Sequence, residues 1–268
     1  MARTRGRTGR PPWQIAVPAA AALALLGLPM LALLVRLPWS QLPEQLASPV
    51  VGPALRLSLL CAAAATVVSA VLGVPLAWVL ARAELPGMRL LRALVTVPLT
   101  LPPVVGGVAL LLLLGRRGLL GSRLDAWFGI SLPFTTAAVV VAQVFVAMPF
   151  LVLAVEGALA GADRRVEDAA ATLGASPLRV FTRITLPSVA PGLAAGAVLC
   201  FARALGEFGA TITFAGSFPG TTQTMPVAVY LALATDPDAA AVLSVVLLAV
   251  SVAVLVVLRG RWAQGALR

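Results

Sequence analysis

DRRVEDAAATLGASPLRVFTRITLP, residues Asp163 to Pro187, separates two long apolar runs in a chain that is 60% hydrophobic overall. Neighbouring membrane helices are usually joined by short loops, whereas this connection runs to about 25 residues. It is helix-patterned, basic and rich in small side chains. Asp163 is a good N-cap for a helix over Arg164–Leu173, with Gly174 as its stop. Ser176 and Pro177 make a second start, Ser as cap and Pro in the first turn, for a short helix ending near Leu186. Ala169, Ala170, Ala171 and Thr172 keep the first helix slim enough to enter a groove, while Glu167, Asp168 and the flanking arginines set its orientation. The competing reading, a loop packed on the bundle's own end, accounts less well for the run of small residues.

Outward from this segment lie apolar runs long enough to cross a bilayer as helix: Ile15–Val35, Leu55–Ala81, Leu94–Leu114, Thr135–Val155, Ser188–Leu205 and Ala239–Leu258. Strand-like alternation is absent, so the expected fold is all-α, a polytopic membrane bundle of six transmembrane helices. Lysine and histidine are both absent, and the net charge of +10 is arginine against Asp and Glu. A phosphate-binding Walker loop needs its lysine, so any ATP hydrolysis must come from another chain. Without histidine few zinc ligands remain; Cys61 and Cys200 fall in apolar spans and read as small core residues, so neither a metal site nor a catalytic residue is expected.

Fourteen arginines fall on one side of this topology: Arg3, Arg5, Arg7 and Arg10 before the first span, the Arg82–Arg92 and Arg164–Arg183 groups, and Arg259, Arg261 and Arg268 at the end. Five fall on the other side: Arg36, Arg56, Arg116, Arg117 and Arg123. The bias places both termini and Asp163–Pro187 in the cytoplasm. These arginines are scattered over loops, which argues against a nucleic-acid surface. The N-terminus resembles a secretory signal, but its apolar stretch is long and lacks a clear small-residue cleavage site, so a retained first span is expected.

Two polar or irregular features fall within the spans. PLTLPPVVGG, Pro98–Gly107, loses backbone donors at Pro102 and Pro103 and allows close approach at Gly106; it reads either as a packing kink or as a hinge lining a pathway. In FARALGEFGATITFAG, Phe201–Gly216, Arg203 and Glu207 share a helix face and read as a structural ion pair close to a solute path. After this comes an outer segment, Thr211–Asp238, with a Gly/Pro/Thr loop and a short apolar piece, Val227–Ala234. Its hydroxyls and amides can donate to an oxyanion, although an ordinary surface loop is as good a reading. Arg116 and Arg117 read as surface residues near the headgroups, or as partners for carboxylates on an outer protein.

The spacing of Asp168, Ala169, Ala170, Gly174, Ile184, Leu186 and Pro187 resembles the EAA loop of type I ABC importer permeases, with Asp168 where that family usually has Glu. PLTLPPVVGG, GRRGLLG, FARALGEFGATITFAG and PGTTQTMPVAVY together resemble molybdate permeases; sulfate and thiosulfate permeases share a form of the GEFGA element, and tungstate is not separable from molybdate. The resemblance covers about Leu55–Leu258. It implies a type I permease fold and divides the chain into an arm with first span (1–54), a transmembrane domain (55–258) and a cytoplasmic tail (259–268). It further implies that the EAA residues form a coupling helix docked on an ATPase subunit, present in two copies, which binds the ATP and Mg; this chain would hold no cofactor and catalyse nothing alone. A second copy of the chain, an extracytoplasmic molybdate-binding protein and the lipid of a bacterial cytoplasmic membrane are the other implied partners. Candidates for the translocation pathway or gate are Pro102, Pro103, Gly106, Arg203, Glu207, Thr211 and Thr213. The rival function is an ion-coupled secondary carrier, for which Glu156 and Glu207 are the available titratable groups.

Overall fold

The computed structural model describes residues 12–84 and 86–265, and all regular structure among them is helical. Four helices are long and apolar enough to cross a membrane unaided: α1 (Trp13–Val35), α3 (Val51–Arg82), α7 (Thr136–Gly161) and α14 (Pro237–Gly265). A short helix, α2 (Leu42–Leu46), joins the first two. Two bent pairs bring the count of crossings to six: α4 (Met88–Thr100) with α5 (Pro103–Leu114), and α9–α10 (Pro177–Val180, Leu186–Ser188) with α11 (Ala190–Leu205). The remaining helices are α6 (Gly121–Phe128), α8 (Arg164–Thr172), α12 (Gly209–Phe214) and α13 (Met225–Thr235).

The expected span Leu94–Leu114 is not one helix. The chain turns by 116° between α4 and α5. Leu101, which precedes a proline, leaves the helical region (φ −70°, ψ 134°), and Pro102 follows it in an extended conformation. Two consecutive prolines withdraw two backbone donors and push the preceding residue out of the α region, so the break is dictated locally. The fifth span starts at Ala190, after a bend of 73°. The final helix runs without interruption to Gly265, so residues 259–265 continue the helix beyond the apolar stretch that ends at Val256; Ala266–Arg268 lie outside the described residues. Arg3, Arg5, Arg7 and Arg10 of the N-terminal arm also lie outside them.

The core is built where α3, α7 and α11 meet. Ala62, Ala65 and Ala77 of α3, Ala147 and Leu151 of α7, and Cys200 and Ala204 of α11 are buried together. Gly73 lies against Leu151 and Val152, Gly192 against Ala158, and Gly196 against Leu151 and Ala154. Lipid offers no hydrophobic gain for helix association, so small residues that let backbones approach are what hold such a bundle. Both cysteines are free and buried, Cys61 in a second cluster with α5, α7 and α12, as expected of small core residues. By contrast α1 buries none of its side chains and packs along α14.

Candidate functional site

At one end of the bundle, between α7 and α11, the Asp163–Pro187 segment forms the bent helix pair. The Asp163 carboxylate accepts from the Arg165 N–H at 3.0 Å and starts α8. Gly174 closes it in the left-handed region (φ 83°), with Gly174 N–H donating to Ala171 O and Ala175 N–H to Ala170 O, both at 3.0 Å. This double closure needs a residue without a Cβ penalty, which is why glycine follows α8. Ser176 does not cap α9 with its side chain, contrary to the sequence expectation; Pro177 at the first position shapes that start. A π-helical turn, Phe181–Thr185, follows, with Leu186 N–H donating to Phe181 O. Pro187 has no N–H for the carbonyl four residues back and its ring crowds that carbonyl, so a widened turn precedes it.

Of the expected coupling residues, Asp168, Ala169, Gly174 and Pro187 are exposed, while Ala170, Ile184 and Leu186 are half-buried. The most exposed large apolar side chain of the segment is Leu173, at 89%, with Leu178 and Val166 also open. Leu173 was not among the expected residues, although a lone leucine just before a helix-stopping glycine is visible in the sequence. An exposed apolar tip on a slim helix has the form of a helix-in-groove anchor.

Glu167 rather than Asp168 carries the charge contact of α8. Arg82, the last residue of α3, binds it in a fork: Nε to Oε2 at 3.2 Å and Nη2 to Oε1 at 3.1 Å, with the side chains only 9% and 15% exposed. Arg164 Nη2 reaches Ala81 O at 3.4 Å, and Arg92, ion-paired to Glu156 at 2.9 Å, donates to Leu80 O at 2.8 Å. Two guanidiniums thus meet the terminal carbonyls of α3, where the helix dipole favours cations. Removing one member of a nearly buried pair such as Arg82–Glu167 costs about 3–5 kcal/mol, whereas the intact pair adds little net stability, so its value lies in position.

The irregular elements from the spans meet one another further along the bundle. A Cβ on Gly107 would stand 2.8 Å from Thr213 Cβ and 2.9 Å from Ala210 O; one on Gly209 would stand 2.9 Å from Pro103 Cβ; one on Gly106 would stand 2.9 Å from the Phe145 ring. PLTLPPVVGG and GEFGATITF are therefore one packed unit, α5 against α12. Arg203 and Glu207 do form an ion pair, at 2.7 Å. They do not share a helix face, because α11 ends at Leu205 and Glu207 lies in the break before α12. Glu207 is 1% exposed and its Oε1 accepts from Ala210 N–H at 2.8 Å, tying the break together. Arg203 keeps 28% of its side chain accessible. Thr213 donates to Gly209 O at 2.7 Å, and Thr211 is fully buried. Pro102 and Pro103 are exposed at the bend. None of these residues lines the cavity of about 450 Å³ formed by Gly52, Pro53, Arg56, Leu57, Leu60 and Gly220. Both acids expected for a proton carrier, Glu156 and Glu207, face arginines. On the surface, Arg116 pairs with Asp125 of its own chain at 3.3 Å.

Residues 73–264 match the family described as binding-protein-dependent transport system inner membrane component. The chain is 51% identical over 251 residues to the molybdenum transport system permease protein ModB of Mycobacterium tuberculosis, covering 94% of each. That length leaves too few residues outside to exclude α1, so the likeness reaches further towards the N-terminus than Leu55. A sulfate transport system permease protein, CysT of Salmonella typhimurium, is 37% identical over 84% of this chain and 83% of its own. Among solved structures, a bacterial alginate ABC transporter in complex with its pentasaccharide-bound periplasmic protein superposes with a TM-score of 0.75 at 16% identity, over 92% of this chain and 91% of that one.

Proposed function

The chain belongs to the family of binding-protein-dependent transport system inner membrane components, and we propose that it is the permease subunit of an ATP-driven molybdate importer in a bacterial cytoplasmic membrane. Identity of 51% to a molybdenum permease along nearly the whole of both chains is the observation that carries the substrate. The exposed, slender α8 with Leu173 at its tip supports the mode of drive. Two copies of the chain would enclose the path, and two ATPase subunits would bind the ATP and Mg and seat the α8 helices. The arginine bias puts α8 and both termini in the cytoplasm. An extracytoplasmic binding protein would deliver the anion at the opposite end.

On this reading the permease performs no bond chemistry. Closure of the ATPase pair on ATP draws the α8 helices together and favours the outward-open arrangement; hydrolysis releases them. The equilibrium moves only as far as the ATPase contacts differ between the two arrangements. Asp168, Ala169, Ala170, Gly174, Ile184, Leu186 and Pro187 form the coupling segment, and the α5–α12 unit with Pro102, Pro103, Gly106, Arg203, Glu207, Thr211 and Thr213 forms or flanks the gate. Arg203, the accessible member of its ion pair, is the cation that meets a passing dianion.

The test is uptake of radiolabelled molybdate into vesicles containing this chain with its ATPase and binding protein. Uptake is expected only with ATP and all components, competed by unlabelled molybdate and tungstate and weakly by sulfate. Uptake by the chain alone under an ion gradient would reject the proposal, and equal competition by sulfate would reject the substrate.

A further inference from the structure

Resting on the permease reading, we infer that Arg82 and Glu167 are the link through which a pull on α8 enters the bundle, and that α3 receives it. The covalent ends of α8 are both joints: Ala162 and Asp163 are extended (ψ 141° and 109°), and Gly174 is left-handed. Displacement of a helix held only by two such joints is absorbed by rotation about them. The forked Arg82–Glu167 contact is the rigid connection. It spans 85 residues of sequence, both its hydrogen bonds are charge-assisted, and its two side chains are largely shielded from water. A planar guanidinium gripping both carboxylate oxygens fixes direction as well as distance, which a lysine in its place would not do.

The end of α3 is also where the neighbouring elements converge. Arg164 of α8 reaches Ala81 O, Arg92 of α4 reaches Leu80 O while paired to Glu156 of α7, and Trp78 stacks edge-on against Phe181 of the π-helical turn at 6.1 Å between ring centres. From there α3 runs through the buried cluster it shares with α7 and α11, so a shift at Arg82 is carried into the core by packed side chains rather than by loops. Asp168, the acid aligned with the family motif, is exposed and free to face the motor, while its neighbour Glu167 faces the bundle. The two adjacent carboxylates thus divide the tasks. Arg82 and Glu167 are positioning residues and touch no solute.

The experiment uses the purified full complex in proteoliposomes, freed of unassembled ATPase, and reads uptake per ATP hydrolysed, a ratio that a lower amount of assembled complex does not alter. The double variant Arg82→Met, Glu167→Gln removes the link without stranding a buried charge. It is expected to keep ATP hydrolysis and to lose about tenfold in uptake per ATP, within the range found for coupling positions. The charge exchange Arg82→Glu, Glu167→Arg is expected to restore the ratio to within about threefold of the parent, because the pair is re-formed in reverse. Parent-like coupling in the neutral double variant overturns the inference. So does an exchange variant that restores neither assembly nor coupling. Failure of the parent complex to show ATP-dependent uptake in the same vesicles would instead strike the permease reading itself.

Discussion

Gly174, at the turn after α8, has no atom within 4 Å of where a Cβ would stand, whereas Gly107 in α5 would bring a Cβ to 2.8 Å from Thr213 and 2.9 Å from the Ala210 carbonyl. The α8 segment uses glycine for a backbone angle; the α5–α12 unit uses it for space. The difference extends to everything around them. The α8 segment is held by a cap, a left-handed turn and ion pairs, and its apolar tip is exposed. The α5–α12 unit is held by contact between backbones, with a single buried carboxylate bracing the break. On the proposed reading, one region is moved by a partner and the other keeps two broken helices in register while the bundle around them shifts.

Substitutions at the two glycines separate these roles. The largest effect is expected at Gly107→Val, where the obstruction is backbone and cannot swing aside; overpacking of this kind costs about 1–3 kcal/mol or more. The purified chain should melt at lower temperature and yield less folded protein, with or without the ATPase. Gly174→Val comes next. It meets no neighbour, and its cost is the left-handed backbone, about 1–2 kcal/mol confined to the turn. The bundle's melting should hold while ATPase attachment and uptake fall, and Gly174→Asn should recover most of the loss. An equal drop in melting temperature for both valine variants would erase the distinction. Asp163→Ala removes the N-cap of α8 and should weaken ATPase attachment by about 1 kcal/mol without altering bundle melting. The smallest effect is expected at Arg116→Ala. That ion pair is 73% exposed on the arginine side, and such pairs contribute about 0–1 kcal/mol, so uptake should stay within about twofold.

What could be read from the sequence follows the same division. The ends of α8 were legible because each signal lies within a few residues of what it satisfies: Asp163 for the Arg165 amide, Gly174 for the carbonyls of Ala170 and Ala171. The apolar runs gave the crossings because helix length and bilayer thickness match. Pro102 and Pro103 announced an irregular point, but not that α5 would turn by 116° and meet α12. That pairing depends on glycines about a hundred residues apart, which carry no local signature. The pairing of Arg82 with Glu167, 85 residues apart, lacks a local signature for the same reason. The motif drew the eye to Asp168, and nothing in the sequence says which of two adjacent acids faces the bundle. Four-residue spacing suggests that Arg203 and Glu207 sit on one continuous helix, but Gly206 caps α11 one residue before Glu207.

The central claim is that α8 is gripped by a nucleotide-driven subunit. It is tested most directly by placing a photo-reactive amino acid at Leu173 in the assembled complex and identifying what it captures, with Leu119, 75% exposed in the loop between α5 and α6, as the control position. Capture of the ATPase subunit from position 173 and not from position 119 is the predicted result. Capture of lipid alone from position 173, in a complex that still imports molybdate with ATP, would contradict the account.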